Sequence, residues 1–304
     1  MKNVAIIDMG TNTFHLMLAT ITQHGLTITS REKVAVKIGM GGINQGYITE
    51  EGIGRAIIAM KDFSKTIREA AIETVLAFGT SALRNARNGE EVIKRIETAS
   101  GIAVKIITGL QEAEYIYKGI RAAMDMGSEK SLIMDIGGGS VEFIIGNKNE
   151  ICWSHSFEIG GQRLLEKFHK HDPISKIELE ALADFFSQKL TSLMEALHKH
   201  KPKILIGSSG TFDTLSDIYC FQHELPLRDT PETPFSKDAF NGIFEELISK
   251  DRAARMQIPG MIEMRVDMIV VACCLIHFLL VHHAFDSVRV SSYSLKEGIL
   301  AAMK

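Results

Sequence analysis

The sequence lacks a strong excess of charge of either sign. Its 304 residues include 34 basic and 37 acidic side chains, which gives a formal net charge of −3 at pH 7. A nucleic-acid-binding surface usually needs a clear basic excess, so we do not expect a nucleic acid polymer as a partner. A phosphate group needs only a local set of donors, so this charge balance does not exclude phosphate binding.

Cysteine is scarce and shows no pairing pattern. The chain has 4 cysteines, at positions 152, 220, 273 and 274. None are in C-x-x-C spacing, and the adjacent pair Cys273 and Cys274 cannot easily form a disulfide. We therefore expect reduced, structural thiols and a cytoplasmic protein.

Long hydrophobic runs are also missing, although 45% of the residues are hydrophobic. The most apolar segment, Met268 to Val281, is shorter than the ~20 residues that span a bilayer and contains His277. It predicts a buried helix and no membrane partner. Asp8 interrupts the first apolar run at once, so we expect no signal peptide. The length allows two domains of ordinary size.

Two stretches, residues 6–18 and 133–145, repeat one pattern. Asp8 corresponds to Asp135, and Thr13 corresponds to Ser140. Each stretch reads as an apolar strand, a short polar turn and a second strand, which is typical of a hairpin. The turns consist of Gly10, Thr11, Asn12 and Thr13 in the first copy and of Gly137, Gly138, Gly139 and Ser140 in the second.

Glycine and small hydroxyl residues in such a turn let the backbone approach a ligand, and successive N–H groups can hold an anion. An Asp at the strand end can hold a cation such as Mg²⁺ beside that anion. An ordinary glycine-rich turn is the alternative for either copy alone. The matched pair favours two phosphate-binding turns.

The order of predicted elements repeats with the hairpins. Three strands at 3–9, 13–22 and 26–36 form a meander, followed by alternating helices and strands. A second meander begins at 131, followed by helices at about 160–170, 174–199, 235–249 and 262–281 and strands at 203–206 and 286–291. We predict an α/β fold with two mixed sheets and a cleft between them. The predicted domains are 1–125 and 126–304, joined near 124–130.

Several motifs in order along the whole chain carry a resemblance to known proteins. Paired Asp hairpins with a third glycine-rich strand end resemble the actin/hexokinase-type ATPase superfold, which implies duplicated ribonuclease-H-like domains. The ordered set is similar to the exopolyphosphatase/guanosine pentaphosphate phosphatase family, in its short two-domain form. Its segments are 8–13, 80–84, 109–113, 135–142, 160–165, 207–211 and 295–298.

The resemblance implies hydrolysis of a terminal phosphoanhydride of polyphosphate or guanosine pentaphosphate, with Mg²⁺. Glu112 is then the base that orients water, and Glu142 positions water or Mg²⁺. Asp8 and Asp135 are expected metal or water-shell ligands, and Arg84 is expected to bind phosphate oxygens. Further expected contacts to nucleoside or phosphate are Gly207, Ser209, Gly210 and Thr211.

Each of these roles has a structural alternative. Glu112 also fits a first-turn Glu that the helix dipole favours, and Arg84 fits a solvated helix residue. Three departures from the family pattern are visible. Thr11 and Thr13 stand where Ser is usual, which keeps both hydroxyls. Val141 replaces a usual Thr, and Glu114 stands where Arg is common, which adds negative charge near a polyanion site.

Two other functions stay open at this point. One is a small-molecule kinase of the same superfold, and the other is a sensor that binds guanosine tetra- or pentaphosphate without turnover. The sequence does not choose between polyphosphate and guanosine pentaphosphate, or between a monomer and a homodimer.

Overall fold

The computed structural model of the chain describes residues 2–23, 25–227 and 230–303. A short 3-10 helix lies at Ile43–Gln45, and the strands and α-helices of the first half run from β1 to α4. They are β1 (Lys2–Met9), β2 (Phe14–Thr22), β3 (Gly25–Val34), α1 (Glu50–Glu69), β4 (Thr74–Gly79), α2 (Ser81–Asn85), α3 (Gly89–Ser100), β5 (Val104–Ile106) and α4 (Gly109–Ala123).

The second half runs from β6 to α12. Its strands are β6 (Ser131–Ile136), β7 (Val141–Gly146), β8 (Ile151–Phe157), β9 (Ile204–Ser208), β10 (Glu232–Thr233) and β11 (Ser287–Ser291). Its helices are α5 (Gly161–Phe168), α6 (Lys176–Lys189), α7 (Thr191–His200), α8 (Ser209–Gln222), α9 (Lys237–Ser249), α10 (Arg252–Arg255), α11 (Ile269–His282) and α12 (Leu295–Ala301).

The two halves have the same sheet topology. The first sheet has the order β3-β2-β1-β4-β5, and the second has β10-β11-β9-β6-β7-β8. In each half the central strand pairs antiparallel with the second strand of the meander and parallel with the strand that follows the first helices. The predicted duplication is confirmed, and the fold is α/β with two ribonuclease-H-like units. The short strand β10 is an addition at the edge of the second sheet.

The last helix of each half lies between the sheets. Helices α4 and α12 pack against each other, α4 also contacts β7 and β8, and α12 contacts β1. The apolar cluster there includes Ile6, Ile120, Ile133, Ile206 and Leu300, all buried. This packing brings the carboxyl ends of the central strands β1 and β6 to the same cleft.

Two predicted helices differ from the structure. The helix expected over 174–199 is two helices that meet at Leu190, which is fully buried and has a non-helical ψ of 17°. The helix expected from 262 begins only at Ile269. Turns precede it, because Gly260 has a φ of +93° and Arg265 N–H bonds the carbonyl of Ile262. A helix was also expected to start at Thr80 or Ser81, and α2 begins at Ser81, with α3 following it before β5.

The expected buried helix and free thiols are both present. Helix α11 is apolar on all sides and lies in the core of the second half. The four cysteines are free, and burial raises the pKa of Cys274 to about 12. Over the described ranges, no helix combines the length and the apolar character that crossing a membrane requires.

Candidate active site

The two hairpin turns have equivalent geometry and face one cavity. In the first turn Gly10 N–H donates to the carbonyl of Thr13 at 3.1 Å, and in the second Gly137 N–H donates to the carbonyl of Ser140 at 3.0 Å. Both turns line a cavity of about 440 Å³ between the sheets. The amides of Gly10 and Gly137 are therefore used within the turns, and only the inner amides of each turn remain for an anion.

The turns also contact each other directly. A Cβ at Gly139 would lie 2.4 Å from Thr11 Oγ1 and 2.5 Å from Ser81 Oγ, so only glycine allows this approach. Thr11 and Asn12 are almost completely buried. Within the described chain, Thr11 Oγ1 and Asn12 Oδ1 have no hydrogen-bond partner. Buried polar atoms are normally paired, so these atoms are available for a ligand.

Three serine hydroxyls hold the carboxylate of Asp135. Ser209 Oγ donates to Oδ1 at 2.7 Å, and Ser208 Oγ donates to Oδ2 at 2.6 Å. Ser294 Oγ also donates to Oδ2. Ser209 has a φ of +70°, an uncommon conformation for a residue other than glycine. Oδ2 accepts two hydroxyl hydrogen bonds and Oδ1 accepts one, so Oδ1 can make one further contact.

Asp8 occupies the equivalent strand end but has a different environment. Its carboxylate lines the cavity and forms no hydrogen bond with the described residues, so only burial and nearby charges act on it. Burial raises its pKa to about 7, with Lys296 opposing the rise and Asp135 and Glu297 adding to it. Asp8 is thus a carboxyl whose charge the folded protein does not balance.

Glu112 enters the cavity from the first turn of α4. A capping box places it there, since Thr108 Oγ1 accepts from Gln111 N–H and the Gln111 side chain accepts from Thr108 N–H. The side chain of Glu112 is buried, and Arg84 Nη1 donates to its Oε2 at 2.9 Å. Burial raises the pKa of Glu112 to about 8 in spite of this arginine. Glu112 is therefore not a solvated first-turn residue.

Arg84 and Glu142 are near the cavity but do not line its surface within the described residues. Arg84 donates to Glu112, to the carbonyl of Ile107 and to Glu158 Oε1 at 3.1 Å. Glu142 is buried beside Asp135, its cross-strand neighbour, and accepts from Ser156 Oγ at 2.6 Å. Burial, with Glu112 and Asp135 nearby, raises the pKa of Glu142 well above its usual value.

In the third predicted segment, residues 207–211, some residues line the cavity and others are buried outside it. Ser209 and Gly210 line the cavity, whereas Thr211 is buried in α8. Gly207 lies under the ring of Phe212, since a Cβ there would be 2.1 Å from the ring. Gly210 lies under the guanidinium of Arg265, whose Nη2 would be 2.0 Å from a Cβ at this position.

Four cavity residues with cationic side chains were not predicted as site residues. They are Arg31, Lys33, Arg265 and Lys296. Although burial opposes its charge, Glu297, Asp8 and Asp213 raise the pKa of Lys296. Lys296 lies in a recognised motif, and the sequence offers no comparable signal for Arg265. Lys296 and Arg265 lie close to the cavity carboxylates, and together the four cations bring positive charge to the cavity, which suits a polyanion.

Two of the three departures from the family pattern, Val141 and Glu114, lie outside the cavity. Val141 is fully buried in β7, in the core of the second half. Glu114 is exposed, and its carboxylate pairs with Lys118 Nζ at 2.7 Å. Because Lys118 offsets this charge and the side chain faces solvent, the expected repulsion of a polyanion by Glu114 has no support in the geometry.

The cavity carboxylates suit a hydrated divalent cation better than a bare one. No set of three His, Cys, Asp or Glu side chains in the described ranges is arranged to hold a metal ion. Mg²⁺ usually keeps several waters and needs only one or two carboxylates. Asp8, which has no hydrogen bond, and Oδ1 of Asp135 fit that requirement.

Comparison with known proteins gives one consistent result. A model of the Ppx/GppA phosphatase family matches residues 17–304. The crystal structure of an exopolyphosphatase from Cytophaga hutchinsonii is 44% identical, with a TM-score of 0.96 over 99% of this chain and 97% of that chain. A Ppx/GppA family member from Aquifex aeolicus is 25% identical, with a TM-score of 0.80 over 99% and 97%. A Haemophilus influenzae protein with exopolyphosphatase in its name is 25% identical over 303 residues, 100% of this chain and 92% of its own.

Proposed function

Because the chain belongs to the Ppx/GppA phosphatase family, we propose that it hydrolyses terminal phosphoanhydride bonds. It would release orthophosphate from polyphosphate, from guanosine pentaphosphate, or from both. The 44% identical relative named an exopolyphosphatase, which matches over nearly its full length, favours polyphosphate.

The observation that carries the proposal is the position of Glu112. It is a buried carboxyl facing a cavity that both hairpin turns line, and burial raises its pKa to about 8. A general base is most effective when its pKa lies near the working pH. In the proposed reaction Glu112 orients a water whose oxygen bonds the terminal phosphorus. The bridging P–O bond breaks, and the water proton passes to Glu112. The terminal phosphoryl group becomes orthophosphate, and the shortened chain leaves with the bridging oxygen.

The transferred phosphoryl group needs donors around its oxygens. We assign this role to the hydroxyl of Thr11, which has no partner within the described residues, and to the inner amides of both turns. Arg84, held beside Glu112 at the edge of the cavity, would bind phosphate oxygens of the bound chain. Lys33, Arg265 and Lys296 would bind the phosphates that remain on the leaving side.

Asp8 and Asp135 would hold Mg²⁺ through its waters, and the ion would supply positive charge beside the phosphates. Their expected role rests on the free carboxylate of Asp8 and on the orientation of Asp135 by three serines. Glu142, the cross-strand neighbour of Asp135, remains the second candidate for positioning water or the metal.

The test is orthophosphate release from tripolyphosphate, long polyphosphate and guanosine pentaphosphate, with and without Mg²⁺. The proposal expects release from at least one of them. Tight binding of guanosine pentaphosphate without turnover of any substrate would instead indicate a sensor. Transfer of phosphate from ATP to an added acceptor, without hydrolysis, would indicate a kinase.

A further inference from the structure

A carboxylate outside the proposed catalytic set is bound by a cluster of three anion donors. Glu158 follows β8, and its Oε2 accepts from Ser81 Oγ at 2.5 Å and from Arg163 Nη2 at 3.3 Å. Its Oε1 accepts from Arg84 Nη2 at 3.1 Å. One hydroxyl and two guanidinium groups around a single anion form the usual pattern of a phosphate site.

The donors are fixed independently of Glu158. Arg163 also donates to the carbonyls of Gly139 and Ile43, at 2.8 and 2.9 Å. Arg84 donates to the carbonyl of Ile107 at 3.1 Å and to Glu112. Removal of the Glu158 carboxylate would therefore leave a preorganised site and not a collapsed one.

The two arginines are more deeply buried than the glutamate that they bind. Arg84 and Arg163 are 15% and 16% exposed, whereas Glu158 is 38% exposed. Ser81 lines the cavity and touches Gly139, so the donors border the proposed phosphate turns. Glu158 can turn toward solvent while its donors stay in place.

We propose that Glu158 occupies a phosphate subsite and is displaced when substrate binds. The ligand would be a second phosphate of a phosphoanhydride chain, adjacent to the transferred group, and this assignment rests on the proposed function. Ser81, Arg84 and Arg163 would then hold that phosphate in place of the carboxylate. Glu158 thereby determines specificity, because a single orthophosphate is a weaker competitor for the subsite than a chain with adjacent charges.

The expected gain in substrate affinity follows from the competition between the Glu158 carboxylate and a substrate phosphate for the subsite. If the carboxylate fills the subsite about nine-tenths of the time, apparent substrate affinity is reduced about tenfold. Glu158→Gln keeps the shape but removes the charge that holds two arginines. It should tighten the binding of a chain phosphate about tenfold and lower KM, with a much smaller change in kcat.

The experiment measures equilibrium binding of a methylene-bridged triphosphate analogue by calorimetry at one fixed salt concentration. KM and kcat for tripolyphosphate are measured on the same proteins. Glu166→Gln is the matched control, because this carboxylate also joins the two halves, through Gly41 N–H and Asn44, but binds no arginine among the described residues. Its affinity for the analogue should equal that of the wild type. Adding Arg163→Gln to Glu158→Gln should cancel the gain.

The outcomes separate this inference from the function it rests on. If Glu158→Gln binds the analogue no more tightly than the wild type, Glu158 is only a contact between the halves and the subsite assignment is wrong. A lower melting temperature of Glu158→Gln together with weaker binding of the analogue would also show that the subsite assignment is wrong. If the wild-type protein neither binds the analogue nor releases phosphate from any chain, the proposed function itself fails along with the inference.

Discussion

Glu112→Gln is the sharpest perturbation that the site offers. Glutamine has nearly the same shape, and its amide oxygen can still accept the 2.9 Å hydrogen bond from Arg84 Nη1. What the substitution removes is the ability to take a proton from water. The folded protein should lose a chemical function at this position and little else.

The expected magnitude has two parts. Loss of a positioned general base lowers turnover by roughly 10²–10⁴-fold. Binding should not weaken, because neither the neutral nor the anionic form of Glu112 attracts a polyanion. With its pKa raised from 4.5 to about 8, Glu112 is largely protonated at neutral pH in the free protein. The neutral glutamine therefore resembles the resting state, and stability should not fall.

The sign of the pH effect follows from the raised pKa. A carboxyl whose pKa is higher in the folded than in the unfolded state costs stability as pH rises from about 4.5 to 8. Glu112→Gln removes this cost. The melting temperature of the substrate-free variant should match the wild type near pH 4.5 and exceed it near pH 8.

The assay is orthophosphate release from tripolyphosphate, combined with calorimetric binding and circular dichroism on the same samples. Glu114→Gln is the matched control, since this glutamate lies on the same helix but faces solvent and pairs with Lys118. We expect its turnover within about twofold of the wild type, as for most surface changes. Near-normal turnover of Glu112→Gln on every phosphoanhydride would refute the reasoning and move the base assignment to Glu142.

Three further predictions address other parts of the cavity. Asp8→Asn should raise the melting temperature of the substrate-free protein at pH 8 by about 2 °C or more, because the raised pKa of Asp8, about 7, makes its ionised form costly; the gain should vanish near pH 4 in scanning calorimetry. Gly210→Ala should displace the Arg265 guanidinium, which a Cβ would meet at 2.0 Å, and raise KM for tripolyphosphate more than it lowers kcat; an unchanged KM would contradict a phosphate role for Arg265. Arg84→Ala should slow turnover and raise KM in steady-state kinetics, since it removes a charged donor beside Glu112; a change in only one of the two would argue against that dual role.

The sequence by itself determined the repeated units and the residues that each repeat carries. Continuous apolar strands on both sides of a glycine turn specify a hairpin locally, so both turns and the positions of Asp8 and Asp135 could be predicted. The ordered motifs then indicated the superfold and Glu112. Helix boundaries near Leu190 and Ile269 could not be predicted, because no Pro or Gly lies within the break at Leu190 and packing decides both.

Only the tertiary structure decided how these residues share one cavity. Arg265 reaches the cavity because Gly210 leaves room for its guanidinium, a contact between segments far apart in sequence. Glu158 meets Ser81 and Arg84 because α4 and α12 pack the two halves together. The raised pKa values of Asp8 and Glu112 also come from burial that packing creates. Local patterns carry no information about such contacts, since they depend on the arrangement of complete sheets and helices.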